Sequence, residues 1–286
     1  MKRRKIPATL CAALLCLALL TAITSYFLPL QMKANAQAAE KQAFDRQAVE
    51  KASVSFEAAA AIFEKLQTMV ADELSQDEGD DNDFDVDVAE EFINELGGDL
   101  VQIGMLQSGL AGLKDDKDSS EGKTVLAVRE YLTMLHDISL DMQELLQYYV
   151  ELYEAFTAMS DFGDDYDSYT EFAEQLIEAT GAAIELMEMI KPPSYLKIAH
   201  DDLTTRIREF QDFGSDFYVA SYLDDPLRTY SCVYRMDRIQ TSLDRCADNL
   251  TADVELQFVH ADSTLSGPVS LLHDELERNI ARLLAA

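Results

Sequence analysis

Residues 123–160 read KTVLAVREYLTMLHDISLDMQELLQYYVELYEAFTAMS, without a glycine or a proline. Apolar residues recur at Val125, Val128, Leu132, Leu135, Ile138, Met142, Leu145, Tyr149, Leu152, Phe156 and Met159, in steps of three or four. That period marks one face of an α-helix. Thirty-eight residues at 1.5 Å each give a rod of about 57 Å. A helix that long, apolar on one side only, needs other long helices to cover it.

Such partners are legible on both sides. Upstream, Phe44, Ala48, Ala52, Ala59, Ile62, Leu66, Met69 and Val70 define one face of a helix over 37–75. An acidic run, 76–86, separates it from a helix opened by a capping box, Asp87-x-x-Glu90. The second helix turns Phe92, Leu96, Leu100, Ile103 and Leu110 inward. Its other stripe is small (Gly97, Gly104, Ser108, Ala111), which predicts either a closely packed neighbour or a broken helix. A polar loop, 114–122, leads into the long third helix. Downstream, an acidic loop Asp161–Asp167 precedes the capping box Ser168-x-x-Glu171 and a fourth helix to about Ile190. Lys191-Pro192-Pro193 ends it, and Ser194 is the expected cap of the fifth. Asp225-Pro226 opens a sixth helix bearing Val233, Ile239, Leu243, Cys246, Leu250, Val254 and Phe258. Gly267-Pro268 is expected to open a separate last helix, 268–285. The prediction is an all-α, elongated, mostly antiparallel bundle of six or seven helices.

The first 36 residues are of another kind. Lys2-Arg3-Arg4-Lys5 precede an uncharged apolar run, Ile6–Leu30, followed by Ala34-Asn35-Ala36-Gln37-Ala38. This is an export signal, read either as a signal peptide cleaved near Ala36 or Ala38, or as an uncleaved anchor spanning the membrane through residues 6–30. The chain therefore divides into 1–36, signal or anchor, and 37–286, an extracytoplasmic acidic helical body. Cys11 and Cys16 follow leucines and sit too early for lipid attachment.

The whole chain carries −30, and beyond residue 36 there are 18 bases against 53 acids, a formal charge of −35. Such a surface repels phosphate backbones and excludes nucleic acid as a partner. Its simplest consequence is solubility. Cys232 and Cys246 lie fourteen residues apart on one helix, about 21 Å, too far for a disulfide. They are expected to be buried free thiols.

Motifs for chemistry do not assemble. From Asp81, the residues Asp81, Asp83, Asp85 and Asp87 hold calcium-loop positions one, three, five and seven, but Val86 and Phe92 replace the required glycine and glutamate. They are candidates only for a low-affinity, irregular calcium site. His136, His200 and His273 each precede an aspartate, whereas His260 does not, and neither His-Glu-x-x-His nor Glu-x-x-His occurs. Ser120-x-x-Lys123 and Ser194-x-x-Lys197 lack the companion motifs of serine–lysine enzymes. Tyr218, Tyr222, Tyr230 and Tyr234 flank Asp224-Asp225-Pro226 at i, i+4 spacing, with Phe210, Phe213 and Phe217 before them. They line either an aromatic ligand pocket over 210–234 or a packed bundle core.

The phrase Pro192-Pro193-Ser194-Tyr195-Leu196-Lys197-Ile198-Ala199-His200 resembles the helix-opening Pro-Pro…His phrase of uncharacterised secreted or membrane-anchored helical-bundle proteins of Gram-positive bacteria. The resemblance implies a similar bundle and destination and assigns no catalytic residue. The sequence reading is thus a non-enzymatic envelope or surface protein, without a cofactor, that binds another envelope or surface protein. The alternatives are a ligand-sensing or solute-binding bundle and, third, a metal-dependent hydrolase.

Overall fold

The computed structural model describes residues 41–72, 74, 86–113, 118–160 and 167–285. They are all-helical: α1 (41–72), α2 (Val86–Ala111), α3 (Ser120–Ser160), α4 (Tyr169–Met189), α5 (Lys197–Tyr222), α6 (Pro226–Thr264), a π-turn (Leu265–Val269) and α7 (Ser270–Ala285). The export segment, the acidic residues Asp81, Asp83 and Asp85, and most of the Asp161–Asp167 loop lie outside the described residues. No described helix is long and apolar enough to cross a membrane.

The long third helix is the spine. Val125, Val128, Leu132, Leu135, Ile138, Met142, Leu145 and Leu152 are buried along it. Toward its end the inward line drifts, so that Tyr148 and Ala155 are buried while Tyr149 and Phe156 are half-buried. A straight helix turns 3.6 residues per turn, and a line read in strict threes and fours slips off the packed face over ten turns.

α2 lies antiparallel on α3. Gln143 donates to the Ile93 carbonyl at 3.1 Å, and Arg129 donates to the Leu110 carbonyl and, at 3.2 Å, to that of Leu113. The guanidinium thereby serves the orphan carbonyls at the α2 C-terminus. α1 joins through Lys65, which bridges Glu95 and Asp99 of α2 at 2.8 and 2.9 Å. α4 and α5 form an antiparallel hairpin, with Arg208 paired to Glu188 and Gly214 packed on Leu176 and Ile177. α6 returns along α5, where Arg235 pairs with Asp216 and the Cys246 thiol donates to Asp202. α7 then packs on α1 and α3, so that His273 lies among Phe56, Phe63 and Tyr131.

Several local expectations change. α2 is already helical at Val86, so Asp87 sits in its first turn, where an acid favours the helix dipole, rather than at its cap. The small stripe is neither broken nor closely packed. α2 runs through it, and only Gly97 meets a neighbour, Gln143 Nε2, at 3.1 Å from a notional Cβ; around Gly104 there is open space. α5 begins at Lys197, after a turn closed by Leu196 N–H to the Pro193 carbonyl, so Ser194 does not cap it. Val233, expected to face inward on α6, is exposed.

Gly267-Pro268 does not open a separate helix. α6, the π-turn and α7 are continuous over Pro226–Ala285, 60 residues and about 90 Å along the helix. The wider i→i+5 turn places Pro268 where the ring and the missing N–H cost less than in an α-helix interior. Capping at Ser168 and Asp225 is as expected. Glu171 N–H donates to Ser168 Oγ at 3.2 Å, and the N–H groups of Leu227 and Arg228 donate to Asp225 Oδ1 at 3.1 and 3.2 Å. Pro226 occupies the first turn, and Asp224 takes the left-handed conformation, φ 50°, that an aspartate tolerates.

Candidate functional site

Two places combine chemistry with access: the α4–α5 elbow and the α5–α6 hairpin tip. The elbow exists because Pro192 and Pro193 cannot continue α4. The Met187 carbonyl is then left without an intrahelical donor, and His200, one turn into α5, supplies it: Nε2 lies 3.2 Å from Met187 O. A carbonyl only accepts, so the proton is on Nε2 and Nδ1 is the acceptor. Tyr148 of α3, also buried, donates its hydroxyl to that Nδ1 at 3.3 Å. Burial lowers the His200 pKa, partly opposed by the Met187 bond, and burial raises that of Tyr148. Both groups are neutral, and both imidazole nitrogens are engaged. This gives the Pro-Pro…His phrase a physical basis: His200 completes the helix end that the prolines interrupt.

The elbow is flanked by two open grooves. One, about 330 Å³, is lined by Lys197, His200, Asp201, Thr204 and Arg208 among others. The second, about 700 Å³, lies between α3 (Glu144, Gln147, Glu151) and Lys191-Pro192-Pro193. Nearby, burial pushes the Tyr195 hydroxyl up to about 12, and it has no hydrogen-bond partner among the described residues.

The remaining histidines do not join His200. His273 Nδ1 lies 2.9 Å from the hydroxyl of Tyr131, itself buried and raised in pKa by burial. Tyr131 and Tyr148 are 17 residues apart on α3, about 25 Å, so His273 and His200 belong to separate contacts. His136 lies beside Asp137 at the surface, and His260 is exposed. Among the described residues no three of His, Cys, Asp and Glu converge as a metal set. Asp87 sits with Glu90, Glu91, Asn94 and Glu95 around an open concavity of about 490 Å³. Cys232 and Cys246 are buried and unpaired, and burial raises both thiol pKa values.

Of the tyrosines expected to line a pocket or a core, Tyr218 packs against a core, and Tyr222, Tyr230 and Tyr234 do neither. Phe213 and Phe217 enter a small core with Ala173, Leu176, Ala220, Cys232 and Ile239. Tyr218 packs against its edge, whereas the other three tyrosines stand out from it. Tyr222, Tyr230 and Tyr234 are 72, 69 and 68% exposed, and Leu227 is 83% exposed. Tyr218, half-buried, stacks on Tyr222 at 6.1 Å, and Tyr230 lies 6.1 Å from Tyr234. Spacing of i, i+4 stacks these rings along their own helix. On α6 they fall opposite Cys232 and Ile239, the residues that face the core. The result is an open apolar and aromatic surface, not an enclosed cavity. Spacing showed the rings grouping together, whereas the side of the helix they occupy depended on which residues faced α5.

No family model, curated protein or solved structure matches this chain.

Proposed function

We propose that this chain acts without catalysis, as an extracytoplasmic helical-bundle protein of the cell envelope or surface that binds a partner. The carrying observation is the tip of the α5–α6 hairpin, where Tyr222, Leu223, Leu227, Tyr230 and Tyr234 are all exposed. Grouped exposed aromatic and aliphatic side chains on an otherwise acidic molecule have the composition of an interface core. Residues 218–246 contain no Lys and no Glu, two of the types depleted from such cores. The basic, then apolar, N-terminal segment supports the extracytoplasmic location.

The test is capture of interacting protein by the tagged full chain in intact envelopes. A Tyr222→Ser/Tyr230→Ser/Tyr234→Ser variant of unchanged helicity is expected to lose the captured species. Equal capture by the variant removes the reading. Mass spectrometry of the native N-terminus separates a released form, beginning at Gln37 or Ala39, from a tethered one that keeps residues 6–30.

A further inference from the structure

The outer face of α6 is patterned beyond its tyrosines. Cys232, Ile239 and Cys246, seven apart, form its buried line. Tyr234 and Thr241 lie about half a turn round from that line, on the outside. Asp237 and Asp244 form one edge of this outer strip, and Arg238 and Arg245 form the other; all four are exposed. None of the four makes an ion pair with a described residue, whereas Arg228 and Arg235 on the same helix are paired to Asp225 and Asp216. Three of them (Asp237, Arg238 and Asp244) have no opposite charge three or four residues away on their own helix. Leu227, Tyr230 and Tyr234 extend the strip with apolar surface toward the tip.

A strip with acids on one edge and bases on the other is self-complementary in one orientation. A two-fold axis parallel to α6 sets each acidic edge against the partner's basic edge; an antiparallel pair sets like against like. Two chains of −30 repel, but this is where they can meet. Between Pro226 and Cys246 there are four arginines and only two acids, Asp237 and Asp244. Resting on the partner-binding reading above, we infer that the partner is a second copy of this chain, docked in parallel through the outer face of α6, with Tyr230, Tyr234 and Thr241 on the axis.

The experiment uses full chains in mild detergent at about physiological salt, followed by sedimentation. The wild type is expected to form dimers. Arg238→Asp/Arg245→Asp and Asp237→Arg/Asp244→Arg are each expected to self-associate at least about tenfold more weakly. Mixed together, these two variants are expected to form a heterodimer, because only then does each acidic edge face a basic one. A wild type that sediments as a single chain overturns the inference, as do dimers indifferent to both charge changes, or variants that stay apart on mixing. If the inference fails while envelope capture still depends on the tyrosines, partner binding stands and the partner is a different molecule.

Discussion

Replacing His200 by Leu tests the elbow. The two side chains are close in volume, so the cavity contribution is small. The cost falls on two buried groups that lose their partner, the Met187 carbonyl and the Tyr148 hydroxyl, each about 1–3 kcal/mol. The greater apolar burial of Leu offsets about 1 kcal/mol. The expected loss is therefore about 1–5 kcal/mol at pH 7.5, centred near 3. Tyr148→Phe alone is expected to cost about 1 kcal/mol, since its 3.3 Å bond is long. In the double variant both ends of that bond are gone, and the loss is expected to fall about 1 kcal/mol short of the sum.

Acid adds an independent test. The folded His200 pKa lies below its ordinary 6.5, chiefly through burial. Below pH 6.5 the unfolded chain therefore binds a proton that the folded chain refuses, and stability falls as pH falls, by up to about 1.4 kcal/mol per pH unit until the folded pKa is reached. The contribution is complete above pH 6.5. His200→Leu lacks this component, so the gap between wild type and variant should narrow between pH 6.5 and 5.5. Urea unfolding followed by circular dichroism at pH 7.5, 6.5 and 5.5 reads both effects. A gap that stays constant with pH, or costs that add fully in the double variant, refutes the clasp.

Gly104→Ala and Gly109→Ala should each raise stability by about 0.5–1 kcal/mol in thermal unfolding, because a Cβ at either meets nothing within 4 Å and alanine favours the helix. Ser168→Ala should lower it by about 1 kcal/mol through loss of the α4 cap, with Ser168→Asp restoring most of it. Pro268→Ala should change stability by less than about 1 kcal/mol, since the π-turn already accommodates the ring. Deleting Gly267 removes the extra residue of the π-turn, so α7 should keep its register; the cost, about 3 kcal/mol, should come from Pro268 left in an α-helix interior, and Pro268→Ala in the deletion background should relieve most of it.

The helices were legible because their apolar steps, their polar loops and the caps at Ser168 and Asp225 all agree. The uninterrupted α6–α7 helix was half legible. The inward residues Phe258, Ala261, Leu265 and Val269 step by three, four and four, so the apolar face runs on through Gly267-Pro268. Gly267-Pro268 masked it, because that dipeptide is a strong breaker in isolation and only the surrounding packing holds it helical. The elbow was legible as a break but not as a clasp. His200 and Tyr148 are 52 residues apart, and nothing local couples them. The tyrosine surface was misplaced for a related reason. Periodicity identifies a face, and only the neighbouring helix decides whether that face is inside.

The continuous helix that ends the chain also bears on the order of folding. His273 on α7 closes over Phe56 and Phe63 of α1, joining segments more than 200 residues apart in sequence. Until α7 is made, the aromatic side of α1 and the Tyr131 hydroxyl lack the cover that His273 gives them. Native closure of α1 must therefore await the synthesis of α7, and contacts of such long sequence separation slow folding. A chain emerging from N- to C-terminus thus leaves Phe56 and Phe63 without their α7 cover while the more than 200 intervening residues are made.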